Sequence, residues 1–91
     1  GFVLEQNYPN PFNPQTTIEY SLQQAGDVSL QVYSVTGQRV QTLVQGHQPA
    51  GKHSIVFKAV DESGEALPSG LYFYTLTHGS QSVTKKMILA K

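Results

Sequence analysis

The residues able to do chemistry are few and scattered. His47, His53 and His78 occupy separate loops or strand ends, with no two at i and i+2 or i and i+4, so only folding could bring them onto a zinc ion. Surface histidines are the plainer reading. Asp61, Glu62 and Glu65 cluster in "DESGEALPSG" and offer oxygens to a calcium ion, but their spacing lacks the oxygen ladder of a calcium loop, and a solvated turn accounts for them. Ser54, Ser63 and Ser69 lack the context of an activated nucleophile, since Ser69 stands in "PSG", a turn sequence. Tyr72 and Tyr74, with Phe73 between them, carry the rings of a sugar-stacking platform. Alternating tyrosines in a central strand are more simply core, with hydroxyls reaching the rim. The spacing therefore points to no enzyme, no metal and no cofactor.

Composition narrows the partners. The chain has 91 residues, the size of one domain, with six basic and six acidic side chains and net charge zero. Neither nucleic acid nor an anionic membrane surface is suggested by such a balance. The absence of cysteine removes disulfides and thiolate metal sites. No apolar run is long enough for a transmembrane helix, and no leader is visible at Gly1, which places any export signal upstream; "KKMILAK" reads as a natural terminus.

The elements that would position these groups are strands. In "TTIEYSLQ" the alternation sets Ile18, Tyr20 and Leu22 on one face, and in "VSLQVYS" Val28, Leu30 and Val32 do the same; with a turn at residues 24–27 the two read as a hairpin. "TGQRVQTLVQG" breaks its alternation in a way that predicts a bulge near Thr42. "GHQPAGKH" reads as a loop, "HSIVFKAV" as a strand with Ile55, Phe57 and Ala59 on one side, "LYFYTLTHG" as a central strand and "SVTKKMILAK" as the last. With "FVLEQ" leading, the pattern predicts an all-β fold, an immunoglobulin-like antiparallel β-sandwich of about seven strands, without the cysteine pair and tryptophan of antibody domains. "NYPNPFNP" stands apart: Asn7, Tyr8, Pro9, Asn10, Pro11, Phe12, Asn13 and Pro14 can be neither helix nor interior strand. They are expected to form a stiff crossover in which Tyr8 and Phe12 cover the open end of the core and the prolines blunt an edge.

"LEQNYPNPFNPQTTIEYSL", a Y-x-x-x-G-x-x-V segment at Tyr33, Gly37 and Val40, an SG-x-Y-x-Y segment from Ser69 to Tyr74, and the terminal "TKKMILAK" occur in the order seen in one family. From Leu4 to Lys91 the chain resembles the immunoglobulin-like C-terminal sorting domain (type A, Por secretion family) of proteins exported by the type IX secretion system of Bacteroidetes. The resemblance implies that residues 1–91 are a single sorting domain ending a larger secreted protein, carried through the periplasm to the cell surface or beyond. The implied partners are the outer-membrane translocon, a surface sorting protease and the upstream cargo domain, with the domain itself a monomer. Phe57 stands where many members have tryptophan. Translocon recognition is expected in the last hairpin, at Gly70, Tyr72, Tyr74, Gly79, Lys85, Lys86, Met87 and Lys91, where a terminal edge strand invites strand addition and a lysine matching Lys86 recurs in the family. The competing class is an immunoglobulin-like spacer or cell-surface attachment module of a secreted, polysaccharide-degrading enzyme, a sandwich also resembling that of the flagellar hook-capping protein.

Overall fold

The computed structural model describes residues 1–91 and contains seven strands: β1 (Phe2–Leu4), β2 (Gln15–Leu22), β3 (Gly26–Ser34), β4 (Arg39–Gln48), β5 (Gly51–Lys58), β6 (Gly70–His78) and β7 (Gln81–Leu89). All pairings are antiparallel. They build a three-stranded sheet of order β1-β2-β5 and a four-stranded sheet of order β4-β3-β6-β7. The result is the immunoglobulin-like sandwich that the alternation predicts.

The period of two decides what is buried. Thr16, Ile18, Tyr20 and Leu22 of β2 face Val28, Leu30 and Val32 of β3 across the core, joined by Tyr72, Tyr74 and Leu76 of β6 and Met87 and Leu89 of β7, and Leu4, Phe12, Phe57, Ala59 and Leu67 complete it. Removing one such large side chain costs about 3–5 kcal/mol, against a total stability of roughly 5–15 kcal/mol for a small domain. The core therefore has little redundancy.

Two expectations change. β2 and β3 do not form a hairpin: β2 pairs along its whole length with β5, and β3 lies between β4 and β6 in the other sheet. Each strand carries a full apolar face, and two such faces are buried by opposing one another across the sandwich rather than lying side by side. The stretch "GHQPAGKH" is mostly strand, since β4 continues to Gln48 and β5 starts at Gly51, leaving Pro49 and Ala50 to cross between sheets. The bulge near Thr42 is present as two register shifts. Leu43 and Val40 are left without one-to-one partners on β3.

Candidate functional site

β6 and β7 form a two-stranded hairpin in full register from Gly70↔Leu89 to His78↔Gln81. Its two-residue loop is Gly79-Ser80. Gly79 has φ +63° and no non-glycine residue has positive φ, which is the pattern of a type II′ turn with glycine first. Gly70, at φ +146°, opens β6 in backbone territory that side chains disfavour.

The hairpin divides the expected recognition residues into two sets. Tyr72, Tyr74 and Met87 are buried in the core, so a partner meets them only through the shape they maintain. Gly79, Lys86 and Lys91 are exposed and Lys85 is half-buried, with Lys85 opposite Tyr74 and Lys86 opposite Phe73. The two lysines point to opposite faces of the sheet, and neither has an acidic partner. The outer face beside Lys86 continues through Phe73 to Tyr33 in one row and carries Leu71 and Ile88 in the next. Past it runs a hydroxyl ladder, Thr75 to Thr84 at 2.7 Å and Thr77 to Ser82 at 3.0 Å.

β7 is the edge of its sheet, and its even-numbered residues turn both backbone groups outward. Half of that edge is occupied by residues 6–12. The Gln6 side-chain amide donates to the Lys86 carbonyl (2.8 Å), and the Asn10 side-chain carbonyl accepts from the Ile88 N–H (2.9 Å). Phe12 N–H donates to the Ile88 carbonyl (2.9 Å), and the Phe12 carbonyl accepts from the Ala90 N–H (3.0 Å), a parallel bridge. The asparagine-proline segment is thus a strap over the C-terminal half of β7. Its three X-Pro peptide bonds, at Pro9, Pro11 and Pro14, are cis.

The strap is held from beneath by polar groups. The Tyr74 hydroxyl accepts from the Asn7 N–H (2.8 Å) and donates to the Glu5 carbonyl (2.7 Å). The Asn7 side-chain amide donates to the Thr16 hydroxyl (3.0 Å), which donates to the Pro9 carbonyl (2.8 Å). Every buried side-chain polar atom here is satisfied. Burial, above all, pushes the Tyr74 phenol up to about 12; the Asn7 N–H opposes that rise and the Glu5 carboxylate adds to it. Burial also raises the phenols of Tyr20 and Tyr72, the latter donating to the Pro68 carbonyl at 2.6 Å.

Of the two loop aromatics expected to cover the core, only Phe12 does. It is 2% exposed, with its ring 6.0 Å from that of Phe57, whereas Tyr8 is 79% exposed. Tyr8 spends its backbone on a two-bond bridge to Thr17, whose side chain faces outward, and that pairing turns the Tyr8 ring to solvent. Asn7 takes the inward place instead. Below the strap the flank between β1 and β7 is open, a groove of about 420 Å³ lined by Gly1, Phe2, Ser80, Gln81, Ser82 and Val83.

The other groups considered for chemistry have local duties. Asp61 Oδ1 accepts from the Ser63 hydroxyl and from the N–H groups of Ser63 and Glu65, and these bonds, led by the hydroxyl, lower its pKa. Glu62 lies 3.9 Å from Arg39 and accepts from the Thr42 N–H. His53 stacks on Tyr20 with centroids 5.0 Å apart, His78 meets Phe2 edge-on, and His47 lies 3.5 Å from Asp27. Gln6 and Thr16 were not singled out by sequence reasoning, and Phe73 was weighed only as part of a sugar-stacking platform. Thr16 shares the inward parity of Ile18, which was a usable signal; nothing in the sequence marks Gln6.

A family model described as a secretion system C-terminal sorting domain matches residues 6–90, taking in both strap and hairpin. No curated protein matches in sequence. Among solved structures, dimeric latent PorU from Porphyromonas gingivalis aligns with TM-score 0.73 and 19% identity over 98% of this chain. PorZ, a surface component of the type IX secretion system of the same bacterium, aligns with TM-score 0.64 and 16% identity over 100% of this chain. The chain spans 9% of the PorU chain and 12% of the PorZ chain. FlgD from Xanthomonas campestris, a hook-capping protein, aligns with TM-score 0.65 and 20% identity over 96% of this chain and 65% of its own. At these identities the likeness is one of fold.

Proposed function

The chain belongs to the family of secretion-system C-terminal sorting domains, and from that premise we propose that residues 1–91 form one autonomous, monomeric domain whose last hairpin is read by an outer-membrane translocon. The domain's function is that of a sorting signal in type IX secretion, directing the protein that carries it to the cell surface or outside, and it acts by engaging the secretion machinery. No helix is long and apolar enough to cross a membrane.

The finer reading is ours. The domain ends a larger secreted protein, a cargo with its own activity lies upstream, and a surface protease removes the domain after passage. Recognition lies in residues 70–91, at Gly79, Lys85, Lys86 and Lys91 directly and at Gly70, Tyr72, Tyr74 and Met87 through the shape they hold. The observation that carries this is the edge of β7: a terminal strand with outward backbone groups and two unpaired lysines is a surface to which an extended partner can add.

The test fuses residues 1–91 to a reporter in a type IX-competent host and compares the intact fusion with one truncated after Ser82 and with Tyr8→Ala/Phe12→Ala. Truncation should abolish export and trap reporter in the periplasm, and the loop variant should lose export only as far as it loses folding. Efficient secretion of the truncated fusion overturns the reading, and intact-mass measurement of the secreted product shows whether the domain is removed.

A further inference from the structure

The edge of β7 is not uniform, and its two halves suit different roles. From the Lys86 carbonyl onward the strap takes the outward backbone groups, and Phe12, buried between the sheets, fixes it there. Before Lys86, the outward backbone groups of Ser82 and Thr84 have no partner. The groove floored by Phe2 and Val83, the latter 38% exposed, lies beside this open half. Unpaired edges of this kind are normally covered or charged against chance pairing, and here only one half is covered.

We propose that residues 82–86 are a docking edge on which an extended strand of the secretion machinery adds to the four-stranded sheet, with the strap as the stop that sets its register. This rests on the reading that the last hairpin is recognised. A strand laid on β7 must alternate its side chains between two surroundings. On the outer face it meets the Ser82 and Thr84 hydroxyls and then the Lys86 ammonium, which no acidic side chain of this domain neutralises. On the inner face it meets the Phe2–Val83 groove and then the half-buried Lys85, which has no acidic partner either. The partner is therefore a segment with polar residues and then an acidic residue on one side, and an apolar residue and then an acidic one on the other, since opposite charges directly across a sheet attract and like charges repel. It must end or turn where the strap begins.

Proline distinguishes strand addition from other uses of the surface. Thr84 turns its N–H away from β6, so Thr84→Pro removes a donor that the fold does not use, at an edge position where proline is tolerated. In the reporter fusion Thr84→Pro should cut secretion at least tenfold, while Thr84→Val, which keeps the N–H, should stay within twofold of wild type. Melting of the isolated chains checks that both fold. Should Thr84→Pro unfold, Val83→Glu places a charge in the groove without touching the ladder, and it should cut secretion at least fivefold in a folded domain. A folded Thr84→Pro or Val83→Glu variant that is secreted at the wild-type level overturns the proposal.

Two other occupants are separable. A second copy would give a dimer by gel filtration that Thr84→Pro abolishes with secretion intact. The chain preceding Gly1 would make Thr84→Pro lower the melting temperature of the long fusion but not of the isolated chain, again with secretion intact. Either result refutes docking of the machinery here. If truncation after Ser82 stops export while both folded variants export normally, recognition of the hairpin stands and strand addition falls.

Discussion

Tyr74→Phe deletes one oxygen and leaves a ring of nearly the same volume, so it isolates the hydroxyl that ties the strap to β6. Two bonds are lost, one from the Asn7 N–H at 2.8 Å and one to the Glu5 carbonyl at 2.7 Å. Asn7 is buried, so its N–H is left without water or partner. An unsatisfied buried donor costs about 1–3 kcal/mol, and a net hydrogen bond contributes about 1 kcal/mol, so a total near 2–3 kcal/mol is expected. For a domain of this size that lowers Tm by roughly 10–20 °C. The hydroxyl also predicts a pH signature. In the fold it ionises at about 12, against about 10 in the unfolded chain. The raised value means that the folded state holds its proton longer, so the associated stability is complete below pH 10 and is lost as pH rises from 10 towards 12. The loss is of order 2 kcal/mol, and Tyr74→Phe removes it. Urea melts of both proteins at pH 7, 10 and 11.5 supply the test: the gap between them should be widest at pH 7 and narrow at alkaline pH. Equal stability at pH 7 would refute the assignment of the hydroxyl as the strap's anchor, and a gap that does not change with pH would refute the burial that holds its proton.

The two strap aromatics should behave oppositely. Phe12→Ala should cost about 3–5 kcal/mol and Tyr8→Ala no more than about 0.5 kcal/mol, as read from denaturant midpoints of the single variants. Asp61 should contribute stability above its unfolded pKa, near pH 4, that fades as pH falls through its lower folded value; acid titration of the melting temperature should show wild type and Asp61→Asn converging below that point. Because the Asp61 carboxylate already accepts three bonds within its turn, a chelator should leave the melting temperature unchanged.

Strand identity and core membership were legible because period-two alternation is strong. Ile18, Tyr20, Leu22, Leu30, Val32, Phe57, Tyr72, Tyr74 and Leu76 are all buried as their parity predicts. Which strands pair was not legible between β2 and β3, because alternation says which side of a strand is apolar and not which sheet receives it. The short turn favoured a hairpin, and the need to oppose two apolar faces overrode it. In the strap the side-chain directions were hidden for a related reason. Tyr8 and Phe12 look equivalent as aromatic rings, but the bridge from Tyr8 to Thr17 accompanies a ring turned outward while the bridge from Phe12 to Leu89 accompanies one turned inward. The hairpin lysines were legible as candidates from the resemblance. Phe73 opposite Lys86 is a matter of hairpin register, whereas the strapping of half the edge depends on contacts between residues some eighty positions apart.

That separation has a consequence for timing. Gln6 meets Lys86, Asn10 meets Ile88 and Phe12 meets Leu89, so the first loop of the chain is fastened by its last strand. Contacts so distant in sequence form late, because the whole intervening chain must be ordered before they return any energy. During synthesis, or during threading through a narrow channel, the strap has nothing to close on until residues 86–90 have emerged. A chain lacking these residues leaves Phe12 without the strand that takes its backbone bonds. Closure of the strap thus requires that β7 is already in place.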